Sequence, residues 1–246
     1  MMMARTVAAE TLDELAPDDP AAQRSRRDLL RIHQAMGTRS IMAQGWQRLV
    51  TPARASQPLR VLELGSGDGK LLLGVARSLT PYWPTVHLTL LDRQDIVSPE
   101  TLGAYAELGW YAEVQMADVL TWAAQPQLDA KDTALARWDL ITTSLFLHHF
   151  ADVQLQGLLA AVALRTDRFW ACEPQRNWWT LVGSHLVGAL GANHVTRNDA
   201  VLSVHAGLRE GEIGRLWPGT GPTWQTDEFD AGWFSHCFSA LRQDTV

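Results

Sequence analysis

The chain has 246 residues, 46% of them hydrophobic and 20% charged, a balance that suits one well-buried soluble domain. With 27 acidic against 21 basic residues its formal charge is −6, the wrong sign for neutralising many phosphates, so nucleic acid is excluded as the expected partner. Two cysteines, Cys172 and Cys237, are too few for a disulfide framework and lack metal-ligand spacing, which points to a reducing, cytoplasmic setting with no metal centre.

The opening stretch MMMARTVAAETLDELAPDDP lacks the apolar run of a signal peptide and reads as an acidic, frayed leader. Over 21–50 the pattern is helical. Leu29, Ile32 and Met36 share one face, Arg24, Arg27 and Arg31 lie on others, and Gly37 divides the run into two helices. Residues 1–50 are therefore expected to form a helical extension, a lid over a domain spanning 51–246, with the two prolines of 51–58 as connector. Beyond it, predicted strands over 60–64, 86–91, 112–116, 139–143 and 168–173 alternate with helices over 69–79, 99–108 and one opening near Asp152. In that last helix Leu155, Leu158, Leu159 and Val162 recur at i, i+3, i+4 and i+7. Such alternation predicts an α/β fold with a mostly parallel sheet, helices on both faces and ligands at the carboxyl ends of the strands. The most apolar later segment, 178–190, carries His185 and falls short of the ~20 residues a membrane span needs, so no membrane association is expected.

Within LRVLELGSGDGKLLLGVA, residues 59–76, an apolar strand ends at a carboxylate, passes three alternating glycines and resumes as a helix. Glycines there let the backbone approach a ligand closely, and the helix start offers unpaired N–H groups. A triphosphate loop is excluded, because Leu64 stands where its first glycine belongs and Leu71 where its Ser or Thr belongs. A dinucleotide fingerprint beginning at Gly65 needs its third glycine at the position of Lys70, which reads as a solvated helix residue. Glu63 would repel a pyrophosphate but suits a ligand bearing a cationic amine.

ELGSGDG, residues 63–69, resembles the first motif of class I S-adenosylmethionine-dependent methyltransferases, E/D-x-G-x-G-x-G. Asp92 closes the next apolar strand, where that family places the carboxylate that accepts both ribose hydroxyls. ADVL with Asp118 is similar to its third motif, WDLITTSLFLHHF (138–150) to its fourth, and FWACEP (169–174) to its fifth strand end. The resemblance implies a Rossmann-like, doubly wound seven-stranded sheet, mostly parallel with its last strand antiparallel; 233–241 is the candidate for that strand. It also implies S-adenosylmethionine as cofactor, held by Glu63, Gly65, Ser66, Gly67, Asp68, Gly69, Asp92, Arg93, Asp118, Val119 and Ser144.

The activity implied is methyl transfer to a small acceptor, aromatic or polyketide-like, as in the ubiquinone/menaquinone-like and natural-product tailoring branch. The alternative is a binding protein that regulates without turnover. For a phenol, enol or activated carbon the acceptor must lose a proton, and the candidates are His148 or His149 with Glu173 orienting the ring. The competing reading leaves His148 in solvent and Glu173 capping the helix near Asn177. In the expected cover, Trp178 and Trp179 either stack on the acceptor or belong to a tryptophan-rich core, since the chain holds eleven. His33, His194 and Arg197 either orient a polar group of the acceptor or face water. Acceptor atom and oligomeric state are left open.

Overall fold

The computed structural model describes residues 3–50, 58–126, 137–219 and 224–243, so most of the expected connector lies outside the described residues. Seven strands, β1 (Leu59–Leu64), β2 (Val86–Asp92), β3 (Trp110–Met116), β4 (Leu140–Ser144), β5 (Arg168–Pro174), β6 (Trp224–Ala231) and β7 (Ser235–Arg242), form one sheet in the order β3-β2-β1-β4-β5-β7-β6. β1 to β5 pair in parallel, and β7 runs antiparallel to both β5 and β6. The chain winds outward from β1 in one direction and from β4 in the other. The carboxyl ends of these two adjacent strands therefore open a crevice.

Central strands buried on both sides need apolar residues at successive positions, which LRVLEL supplies. Val61, with Leu88 and Leu140, packs under α3 (Thr38–Leu49), α4 (Lys70–Leu79) and α5 (Pro99–Glu107). Leu62 and Leu64 face the other side, against α6 (Val119–Ala124), α7 (Asp152–Arg165) and α10 (Glu212–Leu216). β6 had no counterpart among the predicted elements. Its sequence WQTDEFDA is largely polar because it is an edge strand, where charge discourages pairing with another chain. The helix expected to open near Asp152 is α7, with Asp152 as its first residue and Ala151 at the cap position.

The boundary expected at residue 50 falls inside the sheet sandwich. In α3 Met42 and Trp46 are fully buried, the Trp46 indole N–H donates to Thr142 Oγ1 at 3.2 Å, and a Cβ on Gly45 would overlap the Trp170 ring. α3 is thus a core layer, whereas α2 (Pro20–Met36) and α1 (Thr11–Glu14) sit with α8 (Trp178–Leu186) and α9 (His194–Ala206) over the strand ends. Ser25 of α2 accepts the Thr196 hydroxyl proton at 2.8 Å, and Asp28 accepts the Asn193 N–H at 2.8 Å.

The leader is not frayed. The Thr6 N–H donates to the His205 carbonyl at 3.0 Å, and Arg5 bonds the carbonyls of Ala206 and Phe150 and the Asp152 carboxylate. Asp199, 5% exposed, receives the N–H groups of Thr11 and Leu12 at 3.0 and 2.9 Å. Residues 3–15 form a strap pinned to α9 and lying across the mouth of the crevice.

Candidate active site

The crevice widens into a cavity of about 680 Å³ between the glycine turn, the turn after β4 and the strap. Gly65, Gly67 and Gly69 all have left-handed backbones, with φ of 68°, 54° and 71°. A Cβ at Gly65 would overlap the Phe146 ring, while one at Gly67 would meet nothing within 4 Å and would stand in open space. Gly69 does not line the cavity; its carbonyl accepts the Tyr105 hydroxyl at 2.8 Å, which fixes the start of α4.

Asp92 ends β2 and ties the glycine turn to its own strand. Its Oδ2 accepts the Gly67 N–H at 2.8 Å and its Oδ1 the Gln94 N–H at 2.9 Å, and each oxygen keeps a further lone pair for the cavity. Asp118 caps α6 by accepting the Thr121 N–H at 2.8 Å, and Val119 beside it is buried against the cavity wall. Arg93 turns to the strap, donating to the Asp13 carbonyl at 2.5 Å. Asp68 and Ser144 also line the cavity, and Lys70 reaches back to Asp68 at 2.9 Å from an exposed position.

Three buried polar atoms on this wall are without a hydrogen-bond partner among the described residues: Glu63 Oε2, Ser66 Oγ and His33 Nδ1. Burial, then the charges of Asp92 and Asp68, push the Glu63 carboxyl well above the usual carboxylate range. Burial and the nearby Arg39 lower His33 to about 4, so its imidazole is neutral near pH 7. An open cradle over Gly67 beside a buried, unpaired carboxylate fits a ligand that carries an amine.

On the neighbouring strand the chain turns sharply at Leu145, the only described non-glycine residue with positive φ, at 53°. The turn is held by Glu173, fully buried at the end of β5. Its carboxylate accepts the N–H groups of Phe146, Leu147 and His148 at 3.0–3.3 Å and the His148 ring Nδ1–H at 2.9 Å. The sequence-level alternatives, a solvent-facing His148 and a Glu173 that caps α8, both fail; the cap is Asn177, which accepts the Thr180 N–H at 2.7 Å.

His148 Nε2 points into the cavity, 3.4 Å from Glu10 Oε1 of the strap. Burial opposes its protonation, but hydrogen bonds and charge from Glu10 and Glu173 raise it to about 9. In this state His148 is held as an imidazolium near neutral pH. His149 stacks on it with ring centroids 4.3 Å apart, and burial together with the His148 charge lowers its pKa. Glu10, His148 and His149 bring their ligand-type atoms within 4.8 Å of one another, a cluster no motif in the sequence announced because Glu10 arrives from the leader.

The expected cover residues separate. His33 lines the cavity, but Trp178 and Trp179 are 63% and 75% exposed and turn away from it, and neither exposed His194 nor Arg197 reaches it. α8 instead presents Thr180, Gly183 and Ser184 inward. These small residues leave the cavity its width.

No family model matches the chain, and neither does any curated protein. Among solved structures the chain shares its fold with several methyltransferases. A plantazolicin methyltransferase in complex with a triazolic desmethylPZN analogue and SAH is similar over 92% of both chains, at 14% identity and TM-score 0.62. A second plantazolicin methyltransferase, also with such an analogue and SAH, matches over 94% of this chain and 93% of its own, at 12% identity and TM-score 0.60. An O-methyltransferase family protein from Burkholderia thailandensis matches over 92% of this chain and 61% of its own, at 15% identity and TM-score 0.52. At these identities the likeness is one of fold.

Proposed function

We propose that the chain is a methyltransferase that uses S-adenosylmethionine and acts on a small acceptor, a phenol, an enol or an activated carbon. The observation that carries this reading is the placement of His148, oriented by buried Glu173 behind it, on the cavity wall after β4, one strand from Glu63. The two plantazolicin methyltransferase structures that share the fold hold SAH, the demethylated product of that cofactor, which supports the same choice.

The residues on the wall fit the cofactor. Glu63 would take its ammonium, Gly67 would let its chain pass close to the backbone, Asp92 would accept the ribose hydroxyls, and Asp118 with Val119 would hold the base. When bound, the cofactor supplies an electrophilic methyl group on a sulfonium, chemistry that needs no metal. The protein contributes alignment, exclusion of water and removal of a proton.

Glu173 holds Nδ1 of His148 as the donor, which leaves Nε2 as the atom that can take an acceptor proton. While Glu10 remains beside Nε2, two carboxylates keep the imidazolium protonated and it cannot act as a base. Removal of Glu10 on entry of the acceptor takes away one of those stabilising charges and brings the imidazole nearer to neutral pH. Glu173 alone then orients the ring and supports the charge it gains.

A protein that binds the cofactor for regulation alone needs neither a cavity beyond the glycine turn nor an imidazole aimed into it. Incubation of the chain with S-adenosylmethionine and a panel of phenols, β-diketones and heteroaromatic amines tests the proposal, with SAH formation as the readout. SAH formed only with an acceptor supports it, and tight SAH binding without turnover on any acceptor class favours the regulatory reading.

A further inference from the structure

Within the cavity two hydrogen-bond donors converge on one oxygen. Glu10 Oε1 faces His148 Nε2 at 3.4 Å and is bonded by the Ser203 hydroxyl, whose single proton otherwise serves the Asp199 carbonyl at 2.9 Å. The Glu10 side chain is 12% exposed and that of His148 3%. Burial works against the Glu10 charge, and the bonds from His148 and Ser203 outweigh it and lower its pKa. A carboxylate is carried here on a segment joined to the domain by backbone and capping bonds, through Thr6, Thr11 and Leu12, and not by its own side chain alone. The cavity lining includes the apolar side chains of Val7, Leu29, Val187, Val204 and Phe234.

A place where an N–H and an O–H aim at one point inside an apolar wall selects a hydrogen-bond acceptor, and best an anionic one. We propose that Glu10 occupies the seat of the acceptor substrate's ionisable oxygen, so that the acceptor is an aromatic compound bearing a phenolate, enolate or carboxylate that exchanges with Glu10 at His148 and Ser203. The proposal deepens the methyltransferase reading and rests on it for the word acceptor. The seat itself is a property of the three side chains. With an anionic oxygen in the seat His148 keeps its proton at Nε2, whereas a cationic amine would lose the carboxylate of Glu10 as partner and face the positive charge of the ring.

Calorimetry on the full chain in the presence of SAH tests the seat, with benzoate as the anionic probe and benzylamine as its cationic counterpart. Glu10→Ala is expected to bind benzoate at least tenfold more tightly than the wild type, Glu10→Gln to fall between them, and Ser203→Ala added to either to weaken it again. The Gln variant keeps the size of the side chain and guards against a loosened strap. Equal benzoate affinity in the wild type and both Glu10 variants would overturn the proposal. So would a preference of the variants for benzylamine, or stoichiometric Zn²⁺ binding by the wild type that the Glu10 variants lose, since the cluster would then be a metal site. Failure to bind SAH alongside intact benzoate binding would sink the methyltransferase reading and leave the seat standing.

Discussion

Glu173 Oε2 lies 2.9 Å from His148 Nδ1 and also 3.3 Å from the His148 backbone nitrogen, so a single carboxylate fixes both where the residue sits and which way its ring faces. Removal of Glu173 therefore does more than remove a charge: it releases the turn at Leu145. Glu173→Gln keeps an acceptor for the N–H groups but weakens the hold on the imidazolium. His148→Ala is expected to lower kcat at least a hundredfold, within the ~10²–10⁴ typical of general-base assistance, with SAH affinity nearly unchanged. Glu173→Gln is expected to lower kcat less. Equal turnover by wild type and His148→Ala would leave alignment as the sole contribution of this wall.

The same pair sets a pH dependence of stability. The folded pKa of His148, about 9, is above its ordinary 6.5, so its contribution is fully present below pH 6.5 and is lost as pH rises through about 9. Glu10 has the opposite sign: its folded pKa is lowered from 4.5, so its contribution is present above that value and fades in acid. Thermal melts of the wild type should lose stability between pH 6.5 and 9 relative to His148→Asn. Parallel curves for the two proteins would mean that the imidazole is neutral throughout.

Glu63 should report cofactor binding through protons. Burial and like charges raise its pKa in the free protein, and an ammonium placed against it would draw the pKa down. Binding of SAH is thus expected to release protons, seen as a heat that depends on the ionisation enthalpy of the buffer, and Glu63→Gln should abolish that dependence while weakening affinity. A buffer-independent heat across mildly acidic to neutral pH would assign the ammonium another partner.

Asp92→Ala removes the acceptor of the Gly67 N–H together with the oxygens offered to the cavity. Hydrogen bonds to a charged group are worth about 1.5–3 kcal/mol each, so the Kd for SAH should rise at least tenfold. An unchanged Kd by calorimetry would move the ribose site elsewhere on the wall.

Truncation should distinguish strap from core. A chain starting after residue 16 is expected to keep its cooperative melt, because the strap's bonds, to α9, the turn after β4, Asp152, Arg93 and Arg176, involve no side chain of the apolar core. A chain starting at residue 51 is expected to be unfolded by circular dichroism, because it lacks Met42 and Trp46 and leaves Thr142 and Trp170 uncovered. A cooperative melt from the shorter of these two chains would return α3 to the lid.

The glycine turn could be read from sequence because its chemistry is local: carboxylate, glycines and helix start follow one another within residues 63–70. Pairing of His148 with Glu173 could be read because adjacent parallel strands bring their carboxyl ends together, and β4 and β5 are adjacent. Glu10 could not, since it meets His148 and Ser203 across separations of 138 and 193 residues and sits in a stretch with too little periodicity to announce an element. Trp178 and Trp179 misled for a different reason. Aromatic size argues for burial, yet on α8 the inward face is the one with the small residues, where bulk would have filled the cavity. The edge strand β6 was hidden by its own polar sequence.

Arg93, the residue after Asp92, is bonded to Asp13, three residues along the strap from Glu10. On the proposed function, one short segment would latch two doors, the cofactor's and the acceptor's. Spent cofactor and methylated product would then leave through the same opening event, and the pace of turnover would follow the lifting of this segment more closely than the chemistry it covers. Weakening of the latch from outside the cavity, by Asp152→Ala at the far end of Arg5, should quicken steady-state turnover while a single methyl transfer measured in a rapid mixer keeps its rate.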